Sequence, residues 1–138
     1  MTDDTLALAT RLHATFDEAV QRTRNALQEQ GFGILTEIDM SATLKSKIDV
    51  DMERYVILGA CNPPLAHRAV DIDRRIGLLL PCNVVVREDR DSATEGGAVV
   101  VEAMNPQLMV QVTGEPALAP VAAEAGVRLR AAIDSLAD

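Results

Sequence analysis

Residues 55–64 read Tyr55-Val56-Ile57-Leu58-Gly59-Ala60-Cys61-Asn62-Pro63-Pro64. The part before the Asn shows no alternation of polar and apolar side chains, which is typical of a central strand covered on both faces. Asn62 can cap a helix and Pro63 suits a first helical turn, so a helix is predicted from here through Val70. A buried strand that runs directly into a capped helix is therefore the starting point for the rest of the fold.

A second apolar strand follows downstream. The segment from Ile72 to Leu80 has no clear periodicity and is ended by Pro81, and the segment from Cys82 to Val86 is again strongly apolar. Asp89 to Gly97 is polar and contains a glycine pair, which predicts a hairpin turn. Ala98 to Ala103 is then predicted to be the return strand.

The chain upstream opens as strand, helix and strand. Leu8 lies in a run of alternating side chains, Thr15 and Glu18 have the spacing of a helix cap, and Ile34 lies in a second alternating run. Between this strand and residue 55 the sequence predicts a short helix, capped by Ser41, that buries Met40, Leu44 and Ile48.

A long helix is predicted at the C-terminal end. Its apolar residues recur at helical spacing, and we expect the helix to pack on the sheet through Leu118, Val121, Ala125 and Leu129. We predict an α+β fold, a two-layer sandwich in which helices pack on one face of a mostly antiparallel sheet of about five strands. The strands are expected near Leu8, Ile34, Ile57, Val84 and Val99.

Length and composition indicate a single domain over residues 1–138. A net charge of −8 and an aromatic content of 2% argue against nucleic-acid and membrane partners, because phosphates are repelled and few rings can stack on bases. No run is apolar over the roughly 20 residues that a membrane-spanning helix needs. The acidic start Met1-Thr2-Asp3-Asp4 is unlike a signal peptide, and two cysteines are too few for a disulfide scaffold, so a cytoplasmic location is expected.

Two strand ends combine a thiol, an amide and a proline. Cys61-Asn62-Pro63 ends one apolar strand, and Pro81-Cys82-Asn83 begins the next. If these ends meet in space, they line one small pocket, in which the amides donate and accept hydrogen bonds and the thiols ionise or bind a soft metal. The alternative is that both cysteines only pack in the core and that the Asn only caps a turn.

Other chemical motifs are sparse. His67 lies on the predicted third helix and is the candidate metal or haem ligand, although a helix-surface His is the alternative. With two histidines and no paired-cysteine spacing, one chain cannot complete a three-histidine zinc site. There is no glycine-rich phosphate loop and no Ser set between glycines at a strand-to-helix turn.

Three segments, residues 31–39, 57–66 and 76–86, carry a likeness to a known family. The most specific pieces are Cys61-Asn62-Pro63 and, after it, Leu80-Pro81-Cys82. Through these segments, and from about Thr5 to its end, the chain resembles the family known as domain of unknown function 302. The resemblance implies a compact α+β fold that assembles as a homodimer, and it implies no established reaction. It also favours a shared site at the two strand ends.

Three functions stay open on the sequence. The first is a small-ligand-binding or sensory module that acts as a homodimer. The second is a haem- or metal-binding protein with His67 or a cysteine as ligand, in which two protomers double the available ligands. The third is a thiol-dependent enzyme that uses Cys61 or Cys82, although no His base lies close in sequence to Cys82. The sequence identifies no cofactor, and whether any reaction is catalysed stays open.

Overall fold

The computed structural model describes residues 5–90 and 98–137, and the strands within them form one antiparallel sheet. The sheet has five strands in the order β1-β5-β4-β3-β2. Every neighbouring pair runs antiparallel. The strands are β1 (Ala7–Leu12), β2 (Gly33–Asp39), β3 (Tyr55–Cys61), β4 (Cys82–Glu88) and β5 (Val99–Met104). The predicted hairpin tip falls largely at residues 91–97, outside the described residues.

The helices of the described chain begin and end at local signals. Thr15 Oγ1 accepts a hydrogen bond from the Glu18 amide at the start of α1, and Gly31 follows its end with φ of 87°. The helices are α1 (Phe16–Glu29), α2 (Met40–Ile48), α3 (Pro63–Ile72), α4 (Leu108–Thr113) and α5 (Ala119–Leu136). Short 3-10 helices lie at Arg74–Leu78 and Pro116–Leu118. None of the described helices is long and apolar enough to cross a bilayer.

The main hydrophobic core lies between the sheet and two helices. Alternate residues of the strands, such as Leu58 on β3 and Val84 on β4, point toward α1 and α5 and are fully buried. Leu27 of α1 and Leu129 of α5 meet them from the helix layer. The predicted α+β sandwich, with helices on one face of an antiparallel sheet, is confirmed.

Within residues 5–90 and 98–137, the opposite face of the sheet carries no helix layer like that of α1 and α5. On β3 the residues that point away from the core are only half-buried, Tyr55 and Ile57 among them. The sequence pattern predicted that β3 is covered on both faces. Within a single chain this prediction is wrong, because the residues that point away from α1 and α5 are only half-buried. We call this side of the sheet the open face; it comprises the strand residues that point away from α1 and α5.

A second hydrophobic cluster lies beyond the end of the sheet. Leu118, Val121 and Ala125 pack there against Leu65 of α3 and Met109 of α4. The expectation that all these residues of the C-terminal segment pack on the sheet is therefore wrong in part. Of the predicted set, only Leu129 belongs to the sheet core, because the helix leaves the second cluster halfway along its length and then crosses the sheet.

Helix α2 forms where predicted but is anchored differently. Its N-cap is Asp39, whose carboxylate accepts a hydrogen bond from the Ala42 amide at 2.9 Å, and not Ser41. None of its residues is fully buried. Ile48 is 64% exposed, so the predicted burial of the α2 apolar stripe is wrong within a single copy of the chain.

Candidate functional site

The antiparallel pairing of β3 and β4 brings the two cysteine-containing segments together. Because the strands run in opposite directions, the last residue of β3 and the first residue of β4 lie at the same end of the sheet. Ala60 pairs directly with Cys82, and Cys61 is the next residue along β3. The Leu80–Pro81 peptide that leads into β4 is cis. The two segments that sequence analysis singled out are thus neighbours in space.

A small pocket lies at this end of the sheet, on the helix side, where the two hydrophobic clusters meet. Its volume is about 30 Å³, an order of magnitude below the volume that holds a drug-sized ligand. Four of the predicted residues line it: Cys61, Asn62, Pro81 and Cys82. The rest of the wall is apolar and comes from Phe32, Ala60, Leu65, Ala66, Ala69, Leu80, Met109, Val121 and Ala125.

The two cysteines line the pocket, but their side chains leave the strands toward opposite faces of the sheet. Side chains alternate along a strand, and the register puts Ala60 and Cys82 on the helix side of the sheet. The Cβ of Cys61 therefore leaves β3 toward the other side. Cys82 is buried, whereas Cys61 is half-buried at the strand end. Because Cβ atoms that diverge are poorly placed for bridging, this geometry favours two separate thiols over a disulfide.

Both thiols are held in their neutral form near pH 7. Burial raises the pKa of Cys61. Burial, and then the nearby Cys61, raises the pKa of Cys82 to about 11. A thiol is a nucleophile and a metal ligand only as the thiolate, so both kinds of chemistry are disfavoured here at neutral pH. The pocket is an uncharged environment.

Asn62 supplies the amide of the site. Its Oδ1 accepts a hydrogen bond from the Leu65 amide at 3.2 Å, and this bond caps α3. No hydrogen bond among the described residues uses the Nδ2 hydrogens of Asn62. A Cβ placed on Gly31 would lie 3.0 Å from this Nδ2, so the glycine gives the amide room. Asn62 is the one lining residue with a side-chain amide, the kind of polar group that can orient a ligand in an apolar pocket.

Three of the predicted residues lie outside the pocket. Pro63 forms the first turn of α3, and Asn83 is exposed on the open face of β4. The side chain of His67 is 77% exposed and lies 3.4 Å from the Asp71 carboxylate. Residues 5–90 and 98–137 contain no group of three or more His, Cys, Asp or Glu that could hold a metal ion. The pocket also has no room for a haem, so the geometry does not favour a haem or metal centre at His67.

The thiol-enzyme interpretation gains no support from the geometry either. A catalytic cysteine needs a lowered pKa or a base within hydrogen-bond reach. Both pKa values are raised, and neither His13 nor His67 lines the pocket. The arrangement instead suits non-covalent binding of a neutral group.

Sequence reasoning missed the apolar wall of the pocket. Phe32 lies just before β2, Met109 comes from α4, and Val121 comes from α5. These residues follow ordinary helix and strand patterns, so they carry no signal beyond that of core residues. Only the packing of α3, α4 and α5 around the strand ends identifies them.

A larger groove lies between α1 and β2, with a volume of about 550 Å³. Its charged groups already pair with one another, Arg24 with Glu37 at 2.6 Å and Arg54 with Asp17 at 3.3 Å. Arg54 also stacks on Phe16, with its guanidinium carbon 4.4 Å from the ring centre. Because these charges satisfy each other in an open groove, the smaller, less open pocket is the better candidate site.

Comparison with known proteins gives one consistent result. The family model described as Domain of unknown function DUF302 matches residues 8–136. A crystal structure of an uncharacterized conserved protein DUF302 from Bacillus stearothermophilus is similar, with 26% sequence identity and a TM-score of 0.85. The match covers 96% of this chain and 99% of that chain. No curated protein matches the chain.

Proposed function

Because the chain belongs to the DUF302 family, whose description specifies no reaction, we propose from the geometry of the pocket that it is a small-ligand-binding or sensory module that acts as a homodimer. The observation that carries the proposal is the pocket between β3, β4 and α3, with apolar walls and the side-chain amide of Asn62 among its lining groups. A pocket of this kind suits a ligand that is neutral and carries a short apolar group beside a hydrogen-bond acceptor.

The size and charge of the pocket limit the ligand. A volume of about 30 Å³ admits a group of only a few heavy atoms. Neutral thiols provide no anion to attract a cation, and no described cationic side chain lines the wall. We therefore propose that either the whole ligand is very small or its short apolar end enters the pocket while the rest stays at the mouth.

The remaining parts of the proposal concern the setting in which the module works. We propose that residues 1–138 act as one domain, since α5 joins the two hydrophobic clusters. We also propose a cytoplasmic location, where two free thiols stay reduced. The net charge of −8 favours partners other than nucleic acid.

Acetone is a suitable probe, because it combines two methyl groups with one carbonyl acceptor. We expect acetone titration, followed by two-dimensional NMR, to shift the side-chain amide signals of Asn62 together with the backbone amides of Ala66 and Cys82. Asn62→Asp keeps an acceptor for the α3 cap but removes both donors. It should weaken acetone binding by about fivefold, the equivalent of one ordinary hydrogen bond.

A pair of alanine replacements separates pocket binding from surface binding. Ala66→Leu fills the half-buried wall of the pocket and should abolish the shifts. Ala123→Leu adds the same atoms at an exposed position of α5 and should leave them unchanged. Shifts scattered over the surface, or pocket shifts that survive in Ala66→Leu, would contradict the proposed site. Light scattering that finds a monomer at high micromolar concentration would contradict the homodimer.

A further inference from the structure

The surface beside Asn62 is charged, although the wall of the pocket is not. Gly31 is exposed, has a φ of 87°, and directly precedes Phe32 of the pocket wall. A Cβ built on Gly31 would lie 3.0 Å from Asn62 Nδ2 and 3.6 Å from Arg128 Nη1. The missing side chain therefore leaves a small space that an amide nitrogen and a guanidinium nitrogen both border. We call this space, bounded by Gly31, Asn62 and Arg128, the Gly31 notch.

The Gly31 notch adjoins the pocket on two sides. Asn62 belongs to both, because it lines the pocket and its Nδ2 borders the notch. On α5, Ala125 lines the pocket, and Arg128 follows three residues later on the same side of the helix. Asn62 is 9% exposed and the side chain of Arg128 is 42% exposed. The path from the pocket to the notch thus leads from the interior to the solvent, where the outer end of the proposed ligand stays.

The charged group at the notch is positive, on a chain whose net charge is −8. Glu124 lies between two arginines, with its Oε1 3.3 Å from Arg68 Nη1 and its Oε2 3.4 Å from Arg128 Nε. Two positive charges and one negative charge leave one positive charge in excess. The three side chains are 42% to 48% exposed, so water screens their pairing and keeps it weak. The guanidinium of Arg128 can therefore still bind an anion.

Arg128 also has hydrogen-bond donors to offer a ligand. Its Nη1 donates to Gln30 O at 3.3 Å, and its Nε donates to Glu124 at 3.4 Å. These two bonds occupy two of the five N–H donors that a guanidinium carries. They also hold the guanidinium in place beside the notch. Because Asn62 Nδ2 and the Arg128 guanidinium only donate, the group that suits the notch is an acceptor, and a carboxylate forms the strongest bonds of this kind.

We propose that the ligand is a short-chain carboxylate, with its alkyl end in the pocket and its carboxylate in the Gly31 notch between Asn62 and Arg128. The pocket volume of about 30 Å³ limits the alkyl end to a few heavy atoms. This inference rests on the pocket of the proposed function and narrows its ligand. The end that the pocket encloses is neutral, as the uncharged wall requires, and the charge stays at the surface, where it is not stripped of water.

Acetate and acetone form a matched pair of probes, because acetate has a charged oxygen in place of one methyl group of acetone. In NMR titrations at low salt, both should shift the Asn62 side-chain amide. Acetate should bind at least about tenfold more tightly, the equivalent of a hydrogen bond to a charged group. Only acetate should also shift the Nε–H signal of Arg128. Formate has the carboxylate without the methyl group and should bind about fourfold more weakly than acetate, since one apolar carbon is lost from the pocket.

Substitutions of Arg128 test the carboxylate end of the site. Arg128→Gln removes the charge and should reduce the preference for acetate over acetone to about twofold or less. Arg128→Lys keeps the charge without the guanidinium fork and should keep part of the preference. Arg130→Gln removes the same charge two residues along α5, on another side of the helix, and should keep the full preference. Circular dichroism and the acetone response show whether each variant is folded.

Three results would overturn the inference while the proposed pocket stands. These are a wild-type chain that binds acetate no more tightly than acetone, a folded Arg128→Gln that keeps the preference, and formate that binds as well as acetate. If Arg128→Gln does not fold, the wild-type Arg128 signal decides, because acetate must shift it with the same dissociation constant as the Asn62 amide. If neither acetone nor acetate shifts the Asn62 amide, the proposed pocket is wrong and the inference falls with it.

Discussion

Gly59 lies on β3 where Thr36 of β2 and Pro81 approach it closely. Thr36 is its partner in the β2–β3 register, and a Cβ at residue 59 would overlap the Thr36 hydroxyl and stand 3.0 Å from Pro81 Cγ. Thr is branched at Cβ and stiff at its first side-chain torsion, so it cannot easily turn away. The glycine is therefore required by close packing at the strand end beside the candidate site.

We expect Gly59→Ala to lower the free energy of unfolding by about 1–3 kcal/mol through overpacking. Urea unfolding measures this. Gly33→Ala is the matched control, since the nearest atom to its added Cβ is Cys61 O at 3.8 Å, an ordinary contact. Adding Thr36→Ala to Gly59→Ala should recover part of the loss. Equal midpoints for Gly59→Ala and the wild type would show that the strands yield without cost.

Cys82 should be slow to alkylate in the folded protein. Burial, and then the nearby Cys61, raises its pKa from 9.0 to about 11, so its thiolate fraction near pH 7.5 is about a hundredfold below that of an ordinary thiol. Iodoacetamide labelling followed by peptide mass spectrometry should find Cys61 modified first. The rate at Cys82 should keep rising up to about pH 11, whereas in urea both cysteines should react alike. Equal rates in the native protein would contradict this picture.

The same pKa makes stability depend on pH in the alkaline range. The folded protein keeps the Cys82 proton while the unfolded chain releases it above about pH 9. Stability linked to Cys82 is therefore complete below pH 9 and falls as the pH rises toward 11. In urea unfolding at a series of pH values, Cys82→Ala should lose less stability over this range than the wild type. Parallel losses in the two proteins would assign the alkaline effect to other groups.

At the scale of elements, the sequence correctly predicted the features that are determined by residues close together in the chain. The junction of β3 and α3 was placed correctly, because Asn62 as cap and Pro63 in the first turn act within a few residues. The helical spacing of α3 also predicts on which side of the helix His67 lies. Leu65 and Ala69, four residues apart, are buried on one side of α3, and His67 midway between them must point to the other side.

Where tertiary contacts decide, sequence prediction was incomplete. The spacing of Met40, Leu44 and Ile48 indicates that one side of α2 needs cover, but spacing cannot say whether the same chain supplies it. Likewise the strand-end residues Cys61 and Cys82 marked the position of the pocket. The opposing wall was not predictable, because it comes from residues far away in sequence such as Met109 and Val121.

Helix α5 contains a glycine that its packing does not require. Gly126 lies inside the helix, and a Cβ added there meets no atom within 4 Å. Gly126→Ala should therefore stabilise the protein by about 0.5–1 kcal/mol, the usual cost of glycine within a helix. Gly114 is the instructive control, because its Cβ would also be in open space but its φ is 68°. Thermal unfolding should show a higher midpoint for Gly126→Ala and a lower one for Gly114→Ala.

At the scale of the whole molecule, α5 connects two hydrophobic clusters that the sheet alone would leave separate. Val121, Ala122 and Ala125 belong to the cluster with α3 and α4, and Leu129 and Ile133 belong to the sheet core. The pocket lies at the boundary of these clusters, where packing has to change from one set of partners to the other. The pocket is therefore lined by residues of both clusters.

A rigid α5 should make both clusters unfold together. Leu118 and Leu129 are each completely buried, one in each cluster. Truncation to Ala at either site should cost about 2–5 kcal/mol, whereas Val127→Ala on the exposed side of α5 should cost little. Within each variant, hydrogen exchange should show that the amides of α3 and those of β4 lose protection by the same amount. This is expected if the two clusters unfold as one cooperative unit. If Leu118→Ala released only α3 and α4 while β4 stayed protected, the second cluster would be a separate unit. The pocket at its boundary would then open without unfolding the sheet.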